Sequence, residues 1–172
     1  MSSAKSPALN PSDLHDALQT ALIEVSENAY FVFVEPVDTE AFADAVGLVK
    51  DTWLKASVSF EGSFAGAVEI TLPEPLGQWL VTSLLGMQSE EKLGEPQEFD
   101  GVGEFANMVC GAWLSRLSDD CLFELRVPAV TRMTPGWTPV AEARGRQELI
   151  CRMVTINELP MRVLIRSHQQ AA

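Results

Sequence analysis

Residues 53–87, WLKASVSFEGSFAGAVEITLPEPLGQWLVTSLLGM, decide the fold. Apolar side chains recur at every second position, at Val58 and Phe60 and then at Phe64, Val68, Ile70 and Leu72, with Gly66 in phase. Glu61-Gly62-Ser63 lies between the two runs as a short connection containing glycine, so the runs are expected to pair as an antiparallel hairpin. The period then lengthens. Pro75 suits the first turn of a helix, where its missing N–H would have no partner in any case, and LGQWLVTSLLGM keeps a helical apolar pattern until Gly86 closes it.

Upstream, Ser12 and Asp13 offer caps for a helix in which Leu14, Ala17, Leu18, Ala21, Leu22 and Val25 recur at helical spacing. YFVFVEPV then reads as a strand ended by Pro36, and residues 38–51 as either a short helix capped by Asp38 or a structured loop. Downstream, residues 88–100 (QSEEKLGEPQEFD) read as a solvent-exposed acidic connection, and residues 99–117 (FDGVGEFANMVCGAWLSRL) as an amphipathic helix. Ser118-Asp119-Asp120 marks a turn. CLFELRVPAVTRM is extended sequence, in which Pro128 argues against a central ladder position. A loop over residues 134–145 leads to two further strand-like runs, QELICRMVTI and PMRVLIRS, separated by Asn157-Glu158-Leu159 as a second hairpin. Helices interleaved with hairpin-linked strands predict an α/β fold, a largely antiparallel sheet of about six strands covered by long helices. One domain over residues 12–168 is expected, with flexible tails at 1–11 and 169–172.

The 172 residues, 47% hydrophobic and 21% charged, belong with ordinary globular chains. A net charge of −12 leaves no basic stripe for phosphate backbones or anionic lipids, which argues against nucleic acid as a partner. No apolar run approaches the roughly 18 residues needed to span a bilayer, and MSSAKSPALNPSD has no apolar core of a signal peptide. A cytoplasmic protein without membrane insertion is expected. Cys110, Cys121 and Cys151 are odd in number and set in apolar sequence, as reduced core thiols are. His15 and His168 stand near opposite ends, without a cluster of metal ligands around either, and no nucleophile elbow, phosphate loop or dinucleotide fingerprint occurs.

What remains is the polar side of the helix over 99–117. At about 100° per residue, Asp100, Glu104, Asn107 and Gly111 fall within an arc of roughly 60°, opposite Val102, Phe105, Ala106, Val109, Cys110 and Trp113. Acids and amides commonly occupy the wet face of such a helix. Asn and Gly, however, are poor helix formers, costing about 0.7 and about 1 kcal/mol relative to Ala, and both stand here in mid-helix. Gly111, one turn beyond Asn107, also lets another surface approach the backbone.

The spacing D-x3-E-x2-N-x3-G at these four residues resembles the signature of the CheC/CheX family of chemotaxis phosphatases. Pro128 follows Asn107 by 21 residues, where the CheX-type signature also has a proline. The glycine-marked hairpin and the helix ending in Leu84-Leu85-Gly86 are similar to the family as well. CheC-type members carry a second E-x2-N motif in their first helix, whereas here Glu24 is followed by Glu27 at the third position and Asn28 one step late. The chain therefore looks like CheX, with one site and homodimeric relatives.

The resemblance implies a phosphatase that hydrolyses the aspartyl-phosphate of a CheY-like response regulator receiver domain. It implies Asn107 as the residue that orients the attacking water and Glu104 as the contact to the receiver's active-site lysine. Asp100 and Gly111 are then partner-binding positions, and Pro128 shapes the neighbouring strand. The chain itself needs no cofactor or metal, because the receiver supplies Mg2+. The alternative is a non-catalytic module of the same fold that binds a response regulator or assembles with itself.

Overall fold

The computed structural model describes residues 11–87, 93–117, 122–139 and 148–167. Residues 1–10 of the expected tail at 1–11, the tail at 169–172, the turn at Ser118–Asp120, Cys121, the side chain of Cys151 and His168 lie outside the described residues, as does the end of the 134–145 loop, whereas Pro11, read as the last residue of the tail, opens the first helix.

The central hairpin forms as expected, from β2 (Trp53–Gly62) and β3 (Gly66–Pro73), with Val58 opposite Val68 and Phe60 opposite Gly66. β2 runs on through Glu61 and Gly62, so the connection is residues 63–65. The period of two puts Leu54, Ala56, Val58 and Phe60 of β2 on one buried face with Val68, Ile70 and Leu72 of β3. β6 (Glu148–Ile156) and β7 (Leu159–Ser167) form the second hairpin. Its turn is tighter than the three residues expected. Asn157 and Glu158 both take left-handed backbone, φ 50° and 65°, as a two-residue turn matched to strand twist requires, and Leu159 joins the ladder.

Together with β1 (Glu35–Pro36), β4 (Phe123–Leu125) and β5 (Ala129–Arg132), these strands make one sheet in the order β1-β6-β7-β3-β2-β4, every pair antiparallel. β5 also pairs with β2, so β4 and β5 share one edge of it, and Pro128 stands in the break between them, where no ladder hydrogen bond is asked of it.

Three long helices, α1 (Pro11–Ala29), α3 (Glu74–Leu85) and α4 (Glu95–Leu114), cover the buried face of the sheet. α3 ends at Gly86 in left-handed backbone, φ 63°. The two readings of residues 38–51 resolve as a helix, α2 (Thr39–Leu48), whose first turn is capped by Asp38 Oδ1 accepting from the Ala41 N–H at 2.8 Å. α2 lies apart from the long helices. Its Phe42 and Val46 pack with Trp53, Met153 and Trp137 in a second cluster, built on side chains of the opposite parity in β2 and β6.

The strand expected over YFVFVEPV shrinks to Glu35–Pro36. At the end of α1 the Val32 N–H bonds back to the Ser26 carbonyl at 3.1 Å, and Phe31 between them takes a left-handed φ of 56°. Val32 and Val34 turn inward and Phe31 and Phe33 outward. The period of two is there, but the helix terminus engages the start of the run and only its end reaches β6.

Candidate functional site

The site stands on α4, whose start corrects the sequence reading. The helix begins at Glu95, with Pro96 in its first turn and the Gln97 Oε1 accepting from the Gly94 N–H at 3.1 Å. The stretch read as an exposed acidic connection is therefore helix from Glu95 onward, and residues 88–92 of it lie outside the described residues. Glu98 is only 2% exposed. It bonds Arg132 of β5 at 3.2 Å, and Arg132 also holds Glu74 of α3 at 2.8 Å, pairs with Glu95 and stacks 5.4 Å from the Phe99 ring centroid. One cation thus ties α3, α4 and β5 together, and an acid counted by sequence as solvated serves as a clamp.

Burial, helped by the negative charge of Glu74, raises the Glu98 carboxyl above its ordinary 4.5, with Arg132 opposing the shift. A raised folded-state value means that the native chain holds this proton more tightly than the unfolded chain. Stability from Glu98 is then complete below pH 4.5 and falls as pH rises toward the raised value. Glu98→Gln removes that fall. Thermal melts of both proteins between pH 4 and pH 7 are expected to show the variant gaining on wild type as pH rises (about 1.4 kcal/mol for each unit of raised pKa), and parallel profiles would sink the assignment.

Two glycines set the level of the helix. A Cβ on Gly101 would come within 2.4 Å of Val81 Cγ2 on α3, and one on Gly103 within 3.2 Å of Pro128 Cβ. α4 is therefore lowered onto α3 on one side and onto the break between β4 and β5 on the other. This is where Pro128 meets α4. Neither glycine was singled out in the sequence, since close approach between distant segments leaves no mark on periodicity, although the G-V-G run inside a helix was a legible oddity.

On this seat the four residues of the stripe share the outer side of α4. Asp100 and Glu104 are exposed, and Asn107 and Gly111 half-buried at the edge of solvent. Among the described residues, no hydrogen bond or ion pair engages the side chains of Asp100, Glu104 or Asn107. Behind them Val102, Phe105, Ala106, Val109, Cys110 and Trp113 are fully buried. Burial pushes the Cys110 thiol up to about 12, so it is an inert core group.

Tyr30 flanks the stripe on one side and Pro128 on the other. The Tyr30 hydroxyl lies 3.9 Å from Met108 Sδ, its ring meets Phe105 edge-on at 5.0 Å, and its pKa is raised by burial and then by the charge of Glu104. Gly111 differs from the seating glycines. Among the described residues, nothing lies within 4 Å of where its Cβ would be. The packing of the described residues gives no reason for a glycine there.

In α1 the acid at the incomplete motif is engaged: Glu24 pairs with Arg116 just past the end of α4, while Glu27 and Asn28 face solvent. Among the described residues no group of three or more His, Cys, Asp or Glu is placed to hold a metal ion, and no helix is long and apolar enough to cross a membrane.

Fold and site together define an α/β domain that presents an acid-amide pair from a helix laid across an antiparallel sheet. The family model described as chemotaxis phosphatase CheX matches residues 54–152, and the chain belongs to that family. Among solved structures it is similar to the chemotaxis protein CheX from Desulfovibrio desulfuricans, with a TM-score of 0.68 and 19% identity over 91% of this chain and 99% of that one. A CheX-CheY-BeF3-Mg2+ complex from Borrelia burgdorferi matches at TM-score 0.58 and 13% identity, over 88% of this chain and 95% of that one. FliY from Thermotoga maritima matches at TM-score 0.58 and 15% identity, over 94% and 92%. A search of curated protein sequences gave no match. At these identities the solved structures speak for the fold alone.

Proposed function

We propose that this chain hydrolyses the aspartyl-phosphate of a CheY-like receiver domain in the cytoplasm, with Asn107 orienting the attacking water and Glu104 engaging the receiver's active-site lysine. The observation that carries the reading is the unengaged pair Glu104 and Asn107, one turn apart on a helix whose other faces are packed. A receiver supplies its own Mg2+ and lysine to the phosphoryl group, so its partner has mainly to place a water in line with the bond that breaks. An asparagine amide both donates and accepts hydrogen bonds, which suits that task, and it has no pKa that would make it a base. The Borrelia complex supports the partner class, since there a CheX is bound to CheY with beryllofluoride and Mg2+. Asp100 would meet the rim of the receiver. The ion pair of Glu24 with Arg116 supports one site per chain.

The test is phosphate release from a phosphorylated receiver with Mg2+. Added chain is expected to speed release, and a rate equal to that of the receiver alone would sink the reading. A second reading, a non-catalytic module, draws on the likeness to FliY. It predicts binding of the receiver without acceleration.

Gly111 offers a separate check. With open space at its Cβ, Gly111→Ala is expected to stabilise the helix by up to about 1 kcal/mol, raising the melting temperature. The same methyl group would stand where the receiver has to come close, so affinity for the receiver should fall several-fold. A variant that melts higher and binds equally well would remove Gly111 from the docking surface.

A further inference from the structure

Phe31 carries two costs that glycine would avoid. Its backbone lies in the left-handed region at the end of α1, φ 56°, where glycine is the usual residue and an aromatic one is strained. Its side chain is 81% exposed, Phe33 two residues on is 77% exposed, and among the described residues neither joins a core cluster. Folding alone gives no reason for an aromatic ring at this position. Strain of this kind collects where a surface has another task.

We propose that Phe31, with Phe33, is an apolar anchor that seats the receiver domain beside the Glu104 and Asn107 stripe. The inference rests on the function proposed above and names a part of the docking surface that the signature does not include. Continuity with the stripe argues for this occupant. Tyr30, the residue before Phe31, reaches Met108 of α4 at 3.9 Å and borders Glu104. Adding one Cα step and the length of a tyrosine side chain to that contact puts the Phe31 Cα within about 14 Å of Met108 Sδ. An interface of standard size, about 800 Å2 on each partner, has a radius of about 16 Å, so a receiver centred over Met108, the residue after Asn107, would reach this position. The stripe itself is polar and narrow. It orients chemistry but buries little apolar surface, and interfaces draw most of their affinity from a few desolvated anchors, aromatic ones above all.

The experiment uses the full chain with Phe31→Gly and, separately, Phe33→Thr. Affinity is measured for a receiver carrying beryllofluoride and Mg2+, alongside thermal melts, steady-state turnover, and sizing at several concentrations to follow the homodimer expected from the family. Phe31→Gly is expected to melt at or above wild type, to weaken receiver binding about 10-fold or more, and to raise KM while kcat holds. Phe33→Thr should weaken binding less. Variants that bind the receiver within about twofold of wild type would overturn the anchor while leaving the phosphatase reading intact. So would variants that fall apart into monomers with receiver affinity unchanged, since the aromatic pair would then serve a second copy of the chain. If wild type itself binds no receiver, the functional reading fails and the anchor fails with it.

Discussion

Asn107→Ala is expected to cut phosphate release from a phosphorylated receiver by about 100-fold or more while the fold and the affinity for the receiver are kept, the size of loss that a misplaced reactant brings. Alanine is a better helix former than asparagine by up to about 0.7 kcal/mol, and Asn107 is half-exposed without a hydrogen bond within the described chain, so nothing in α4 depends on its amide. A 100-fold loss corresponds to about 2.7 kcal/mol of transition-state stabilisation, within what positioning supplies. Glu104→Ala should behave differently. Losing a charge-assisted contact to the receiver's lysine should weaken binding by about 10- to 100-fold, seen chiefly in KM. Single-turnover rates with this chain in excess over the phosphorylated receiver, measured beside binding, separate the two, and equal rates for wild type and Asn107→Ala would end the catalytic assignment.

The second large effect concerns stability. Trp113 is fully buried near the end of α4, its ring 5.8 Å from Phe60 of β2 and 6.3 Å from Phe64, and its indole N–H donates to the Leu14 carbonyl of α1 at 3.3 Å. One side chain thus joins α1, α4 and the central hairpin. Trp113→Ala leaves a cavity and removes the hydrogen bond that joins α4 to α1, and a loss of about 3–5 kcal/mol is expected. For a domain of this size that lowers the melting temperature by about 10 °C. Trp113→Phe keeps most of the ring volume and loses the hydrogen bond, so it should fall between. Circular dichroism melts decide it, and a shift below about 3 °C for Trp113→Ala would show that the three elements are held by other contacts.

Seating and chemistry are separable on α4. Gly101, Gly103, Glu98 and Trp113 hold the helix at a set height on α3, β5 and α1, and the stripe uses the outer side that this packing leaves free. Changes in the first group should act on stability, and changes in Glu104, Asn107 and Gly111 on the partner. The two glycine classes make the contrast sharp, since Gly101 has a valine against its missing side chain and Gly111 has open space.

What the sequence determined by itself is what one element encodes alone. Alternation at Val58, Phe60, Val68, Ile70 and Leu72 specified the central hairpin, Pro75 and Gly86 bounded α3, and a period near 3.6 placed Asp100, Glu104, Asn107 and Gly111 on one side of α4. Tertiary structure alone decided what depends on a neighbour distant in the chain. Glu98 and Glu104 are both acids of one helix, six residues apart, yet Arg132 from β5 draws the first inward and leaves the second to solvent. YFVFVEPV has the composition of a strand, but the end of α1 takes its first residues, and Phe31 is turned out to solvent. Periodicity records which side of an element is buried, whereas the distance to a valine, a proline or an arginine from another element is settled only when the chain has folded and those surfaces meet.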